Sequence, residues 1–213
     1  MTIYRIPDHL SCIIFDIDST LYTNEAYARE QTGIQIRRFA DIKGISYSEA
    51  EKMIAAFREN FRKEHGTSLS LGNTLTHFGI PIEESIRWRN ELLEPAEFLA
   101  PDVCLRETLS ELSAKYTLGA VTNNPLVPAK KTLAALGVAD LFPVIIALDT
   151  TGYSKPHPEP LRRAAKAAGV PLSKCLSVGD RFDIDIALPL ELGMGGILVS
   201  GVEDVYKLPD MLS

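Results

Sequence analysis

The chain has 213 residues, of which 46% are hydrophobic and 23% are charged, a balance typical of a folded globular protein rather than a disordered one. Acidic residues outnumber basic ones by 28 to 22, and the net charge of -6 argues against a nucleic-acid binder, which needs a basic surface. The sequence contains no apolar stretch long enough to span a membrane and no signal peptide, so we expect a cytoplasmic protein. The three cysteines, Cys12, Cys104 and Cys175, form no metal-binding pattern and are expected to be buried free thiols.

The first predicted element is a buried strand that ends in two aspartates. The predicted strand spans residues 12–17, and its residues 12–15 form a continuous apolar run, as in a strand that is covered on both faces. Because side chains two residues apart in a strand point the same way, we expect Asp16 and Asp18 to project together. Two neighbouring carboxylates repel each other unless a cation or a shared proton relieves them. Taken alone, the motif fits either a catalytic pair or a strand end that begins a turn.

A long insertion follows the first predicted strand. About a hundred residues separate it from the second strand, far more than one crossover helix needs. Residues 22–94 contain a single proline, Pro81, and carry apolar residues at helical spacing. We therefore predict a helical insertion placed beyond the carboxyl end of a strand, where α/β folds bind ligands.

Strands and helices alternate through the rest of the chain, which predicts a parallel sheet with helices on both faces. Pro101 fits the first position of a helix, and Gly137 and Gly169 fit helix C-terminal caps. The predicted strands are 117–121, 144–148, 175–178 and 197–200, and the predicted helices are 101–115, 127–136, 158–168 and 184–192.

Polar motifs follow three of these strands, at what would be one edge of the sheet. They are Thr122-Asn123-Asn124, then Lys155-Pro156, and finally Gly179-Asp180 with Asp183 and Asp185 close behind. The proline favours an extended backbone at Lys155, which helps the side chain reach inward. Asp183 precedes an apolar helix and fits its N-cap better than it fits a ligand site.

These motifs, in this order, resemble the phosphatase branch of the haloacid dehalogenase superfamily. The family pattern Asp-x-Asp-x-Thr-Leu matches residues 16–21, and the pyrimidine 5′-nucleotidase-like branch continues into tyrosine as Tyr22 does here. The chain also resembles the β-phosphoglucomutase-like branch of the superfamily. The resemblance to the superfamily covers nearly all of the chain outside residues 22–94. It implies a Rossmann-like α/β core of residues 1–21 and 95–213, whose five main parallel strands lie in the order 5-4-1-2-3, with residues 22–94 as a helical C1-type cap.

The resemblance also implies a role for each matching residue. Asp16 would be the nucleophile that forms an aspartyl-phosphate, and Asp18 would act first as general acid and then as general base. Thr122 and Asn123 would bind the phosphate group. Lys155 would pair with the transferring phosphoryl group and would lower the pKa of the nucleophile.

A magnesium ion is the implied cofactor, since hard oxygen ligands suit it. The implied ligands are the Asp16 and Asp180 side chains and the Asp18 backbone carbonyl. Asp185 would hold water molecules of the metal or orient the side chains around it.

The implied function is hydrolysis of a small phosphorylated metabolite: a nucleoside monophosphate, a sugar phosphate or phosphoglycolate. Neither nucleic acid nor a membrane is implied as a partner, and both a monomer and a homodimer fit. A phosphomutase of the β-phosphoglucomutase type would share every core motif. A dehalogenase would lack an acid at Asp18, a signalling receiver would carry its phosphoacceptor on a later strand, and a non-catalytic relative would not need the full set.

Overall fold

The structure, a computed structural model, describes residues 1–66 and 69–212 and contains one six-stranded sheet. Its strands are β1 (Thr2–Arg5), β2 (Cys12–Phe15), β3 (Thr117–Val121), β4 (Val144–Ile146), β5 (Cys175–Gly179) and β6 (Gly195–Leu198). They lie in the order β1-β6-β5-β2-β3-β4. All neighbouring strands from β6 to β4 in this order run parallel to each other. Counted from β2, the parallel strands have the order 5-4-1-2-3, which confirms the prediction.

The edge strand β1 was not predicted from the sequence. It pairs antiparallel with β6, with Thr2 opposite Leu198, and all four of its residues are exposed. A strand without a buried face has neither the apolar run nor the alternation by which strands are recognised.

The register of the central strands places their carboxyl ends at one edge of the sheet. Phe15, the last residue of β2, lies beside Ala120 of β3 on one side and beside Val178 of β5 on the other. The backbone amide of Asp16 donates to the carbonyl oxygen of Val178 at 2.8 Å. Residues that follow β2, β3 and β5 therefore emerge next to one another.

The helices are α1 (Glu25–Lys43), α2 (Tyr47–His65), α3 (Leu71–His77), α4 (Ile82–Leu92), α5 (Val103–Ser113), α6 (Leu126–Ala135), α7 (Leu148–Thr151), α8 (Pro158–Ala167), α9 (Ala187–Glu191), α10 (Val202–Val205) and α11 (Leu208–Met211). Gly137 and Gly169 follow α6 and α8 with φ of 75° and 71°, the left-handed conformation that ends a helix. The prediction for Pro101 is wrong, because Asp102 caps α5 by accepting from the Leu105 amide and the proline lies before the cap.

The chain packs into two compact units, one formed by Met1–Glu25 with Pro95–Ser213 and the other by Ala26–Glu94. The first unit contains the sheet, and residues such as Ile14, Val121 and Met194 belong to its buried core. The second unit is helical and buries Phe39 and Trp88 in a core of its own. Each unit thus encloses enough apolar side chains to form a separate core.

Two of the three cysteines are buried as predicted. Cys12 and Cys175 lie opposite each other on β2 and β5, whereas Cys104 is exposed. The prediction for Cys104 is wrong because α5 turns Leu105, Thr108 and Leu109 to the core and leaves the preceding residue outside. Within residues 1–66 and 69–212, no helix combines the length and apolar character that crossing a bilayer requires.

Candidate active site

The first aspartate motif leaves the sheet as a tight turn. Strand β2 ends at Phe15, earlier than predicted, and the amides of Thr20 and Leu21 both donate to the Ile17 carbonyl. Ser19 takes a left-handed conformation with φ of 60°. Because the chain turns here instead of continuing as a strand, Asp16 and Asp18 reach different partners.

Asp16 forms a buried ion pair with Lys155. The lysine Nζ donates to Asp16 Oδ1 at 2.7 Å and to Asp185 Oδ1 at 2.6 Å. Asp16 and Lys155 are both buried, with exposed fractions of 5% and 6%. The backbone of Lys155 is fixed by Asn123, whose Oδ1 accepts from the lysine amide at 2.7 Å and whose Nδ2 donates to its carbonyl at 3.1 Å. The carboxamide of Asn123 therefore positions the lysine.

Asp185 reaches the site through a π-helical turn (Phe182–Ile186). Its Oδ2 accepts from the Arg181 amide at 3.1 Å, and its backbone carbonyl accepts from the Ser177 hydroxyl at 2.8 Å. The N-cap prediction for Asp183 is wrong, because this residue lies inside the π-helical turn, and the cap position is Arg181. A π turn widens the helix and here lets Asp185 point back at Lys155.

Gly179, the last residue of β5, lies against Asp185. A Cβ atom at this position would be 2.3 Å from Cβ of Asp185, closer than two carbon atoms can approach. Glycine before Asp180 thus supplies the space in which Asp185 packs against the strand.

Burial dominates the electrostatics of the site. It raises the pKa of Asp16 to about 7 despite the opposing effect of Lys155, and the Asp185 and Asp18 carboxylates raise it further. Lys155 lowers the pKa of Asp16, as predicted, but burial outweighs this effect. Burial opposes the charge of Lys155, but Asp16 and Asp185 together raise the pKa of its ammonium group. Burial also raises the pKa of Asp180, and Asp185 adds to this effect.

The acidic residues fit a divalent cation. Asp16, Asp180 and Asp185 offer carboxylate oxygens within 4.8 Å of one another. Asp16 Oδ2 and Asp180 Oδ1 are buried and have no hydrogen-bond partner within residues 1–66 and 69–212. The Nε atom of Arg181 lies 3.8 Å from Asp180 Oδ1, beyond hydrogen-bond distance. Since buried carboxylate oxygens need compensation and oxygen ligands suit Mg²⁺, this cluster can hold such an ion.

Asp18 has a separate environment of hydrogen-bond donors. Its Oδ1 accepts from the Tyr22 hydroxyl at 2.5 Å, and its Oδ2 accepts from Asn124 Nδ2 at 2.9 Å and from the Thr122 hydroxyl at 3.3 Å. The Thr122 hydroxyl also accepts from the Asn124 amide at 3.0 Å. The Asp18 side chain does not belong to the carboxylate cluster, and a metal contact through its backbone carbonyl stays a prediction.

The structure brings the residues predicted for the site to one edge of the sheet, within the first unit. Tyr22 and Asn124 belong to the motifs quoted from the sequence, but no role in the site was predicted for either. The spacing of Tyr22 was a usable signal, because a residue four positions after Asp18 can return to it if the chain turns between them. The catalytic and binding roles of the predicted residues stay predictions.

Comparison with known proteins places these observations in a family. The family model for haloacid dehalogenase-like hydrolases matches residues 10–192. The phosphoglycolate phosphatases of Escherichia coli strain K12 and Salmonella choleraesuis are each 36% identical over 137 residues, which is 59% of this chain and 54% of each relative. The chain thus matches about half the length of these curated relatives.

Several solved structures share the fold at low identity. A HAD phosphatase from Thermococcus onnurineus superposes with a TM-score of 0.65 at 21% identity, covering 96% of this chain and 98% of its own. A predicted phosphoglycolate phosphatase from Haemophilus somnus gives 0.62 at 18% identity, covering 96% and 99%. A β-phosphoglucomutase from Clostridium difficile gives 0.55 at 17% identity, covering 95% and 99%. These likenesses establish the architecture alone.

Proposed function

The chain belongs to the haloacid dehalogenase-like hydrolase family, and on this premise we propose that it is a Mg²⁺-dependent phosphatase of small phosphate monoesters. One observation carries the proposal. Two aspartates of one turn make different contacts: Asp16 accepts from a buried lysine, and Asp18 accepts from Tyr22 and Asn124. Hydrolysis through a covalent intermediate needs one carboxylate as nucleophile and another that exchanges protons.

In the first step, a carboxylate oxygen of Asp16 attacks the phosphorus atom and the bond between phosphorus and the leaving oxygen breaks. Asp18 gives its proton to that oxygen, so the alcohol departs neutral. Lys155 holds Asp16 Oδ1 at 2.7 Å and faces the phosphoryl group with a positive charge. The products of this step are the free alcohol and an aspartyl-phosphate on Asp16.

In the second step, a water molecule attacks the phosphorus atom of the aspartyl-phosphate. Asp18, now ionised, takes a proton from this water, and the bond between phosphorus and the Asp16 oxygen breaks. Inorganic phosphate leaves, and both aspartates return to their starting forms. The step therefore consumes one water molecule and needs no further reactant.

Asp16, Asp180 and Asp185 would hold the magnesium ion. Asp16 Oδ2 and Asp180 Oδ1 support this assignment, because both are buried and lack a hydrogen-bond partner among the described residues. When bound, the ion would supply positive charge against the negative charge of the phosphoryl group. It would also favour the ionised form of Asp16, whose pKa is otherwise raised by burial.

The proposed substrates are phosphoglycolate, a nucleoside monophosphate or a sugar phosphate. Phosphoglycolate leads this set because the matching relatives carry its name. We further propose that the helical insertion, residues 22–94, is a cap that selects among these esters, since inserted segments beyond strand ends commonly carry specificity.

Phosphate release from a panel of these esters, with and without Mg²⁺, tests the function. We expect Asp16→Asn to lower kcat by at least about a thousandfold, because an amide is a far weaker nucleophile. Asp140→Asn is the matched control, since Asp140 is exposed and pairs with Arg106. A chelator should abolish the activity, and added Mg²⁺ should restore it.

Three results would refute the proposal. They are activity that survives Asp16→Asn, activity that a chelator leaves unchanged, and an absence of phosphate release from every ester. Conversion of a hexose 1-phosphate to its isomer without phosphate release would instead identify a phosphomutase.

A further inference from the structure

The carboxylate of Asp18 is held from both of its oxygens. The hydroxyl of Tyr22 donates to Oδ1 at 2.5 Å, while Asn124 Nδ2 donates to Oδ2 at 2.9 Å. Tyr22 itself is buried, with an exposed fraction of 5%. The Tyr22 contact lies at the short end of the range for O–H···O hydrogen bonds, which makes it a firm restraint on the side chain.

The turn after β2 makes this contact possible. The amides of Thr20 and Leu21 close on the Ile17 carbonyl, and the chain reverses before it reaches Tyr22. The tyrosine therefore lies in the same short segment as Asp18, and the aspartate and its partner are held by one local structure. The third donor, the Thr122 hydroxyl, comes from the end of β3 at 3.3 Å.

We propose that Tyr22 is a positioning residue, whose hydroxyl holds the Asp18 carboxylate in the orientation from which it protonates the leaving alcohol. This inference rests on the phosphatase function proposed above. Proton transfer needs the donor oxygen within hydrogen-bond distance of the leaving oxygen, and a carboxyl group free to rotate meets this condition less often. A hydroxyl both donates and accepts hydrogen bonds, so the contact can persist through the proton transfer.

The chain offers a matched control for removing this hydroxyl. Tyr206 donates to Asp102 Oδ2 at 2.6 Å, a contact of the same chemistry at the N-cap of α5. Both tyrosines belong to the first unit, but Asp102 takes no part in the site. Tyr206→Phe therefore removes an equivalent tyrosine–aspartate hydrogen bond away from the site.

The test compares two esters that differ in their need for an acid. Phosphoglycolate releases a poor alkoxide leaving group, whereas p-nitrophenyl phosphate releases a good one that needs little protonation. The ratio kcat/KM reports the steps up to departure of the leaving group, before the aspartyl-phosphate is hydrolysed. A loss confined to the alkyl ester therefore points to the acid, and a loss of folding or metal binding would affect both esters.

We expect Tyr22→Phe to lower kcat/KM for phosphoglycolate by about tenfold, a part of what a general acid contributes, and for p-nitrophenyl phosphate by less than about twofold. Tyr206→Phe should leave both ratios within about twofold of the wild type. If Tyr22→Phe does not fold, Asn124→Ala releases the other oxygen of Asp18 and should give the same selective loss.

The possible failures can be told apart. If the wild type hydrolyses both esters and Tyr22→Phe matches it, or loses both activities equally, the positioning role is wrong and the phosphatase function stands. If the wild type releases phosphate from neither of these esters nor from the rest of the panel, the proposed function fails and the role of Tyr22 fails with it.

Discussion

Gly179→Ala would add one methyl group at the point where the sheet meets the active site. The new Cβ would lie 2.3 Å from Cβ and 2.6 Å from Cγ of Asp185. Carbon atoms in contact are about 3.5–4.0 Å apart, so Asp185 would have to retreat by more than about 1 Å. The Asp185 side chain accepts hydrogen bonds from Lys155 Nζ and from the Arg181 amide, and it cannot move this far without losing them.

The retreat would release Lys155, which Asp185 Oδ1 contacts at 2.6 Å. Overpacking of this kind lowers the free energy of unfolding by about 1–3 kcal/mol. Misplacing a catalytic group by about 1 Å costs roughly a hundredfold in rate, and we expect this loss in kcat. The KM should rise as well, because Lys155 is also proposed to pair with the phosphoryl group of the substrate.

The assays are phosphate release for kcat and urea unfolding for stability. Gly119→Ala is the control, since its Cβ would lie 3.7 Å from the nearest side-chain atom, Ile14 Cγ1, in ordinary contact. We expect this control to stay within about twofold of wild-type activity. Wild-type kcat in Gly179→Ala, or an equal loss in Gly119→Ala, would refute the steric argument.

Two further predictions concern the first motif and the acidic cluster. Ser19 has φ of 60°, so Ser19→Gly should raise the free energy of unfolding by up to about 1 kcal/mol, and a urea midpoint that does not increase would contradict this. Because a cation binds ionised Asp16, whose pKa is raised to about 7, Mg²⁺ affinity should fall about tenfold per pH unit below that value. Calorimetric titration of the metal-free protein measures it, and an affinity independent of pH would exclude Asp16 as a ligand.

The existence of the parallel strands was predictable from apolar runs in the sequence, whereas their order was implied by the family resemblance. Cys12–Phe15 and Cys175–Gly179 are buried along their whole length, so their sequences carry the signal. Thr2–Arg5 is exposed throughout, and its place in the sheet depends on pairing with Gly195–Leu198. No local sequence pattern predicts this pairing. The strands were therefore predictable where burial requires apolar residues. The edge strand was not predictable, because only backbone pairing holds it in the sheet.

The site was predictable in its composition but not in its contacts. Parallel strands end at one edge, so the position of Asp16, Thr122 and Asp180 along the chain already indicates their meeting. The contact between Tyr22 and Asp18 depends on the backbone turn, and that of Asp185 with Lys155 depends on a π-helical turn. The first turn is closed by local amide contacts that the strand pattern did not indicate, and the sequence rules for caps predicted an ordinary helix in place of the π-helical turn.

The different contacts of the two aspartates fit the roles proposed for each. A nucleophile must be ionised when it attacks, and the Lys155 cation and a divalent ion both favour that form of Asp16. An acid and base must gain and lose a proton in each cycle, and it must be held where it can reach the leaving oxygen. Tyr22 and Asn124 hold Asp18 by hydrogen bonds to both of its carboxylate oxygens. The turn at Ser19 is what separates these two environments, because an uninterrupted strand would direct both carboxylates to the same lysine.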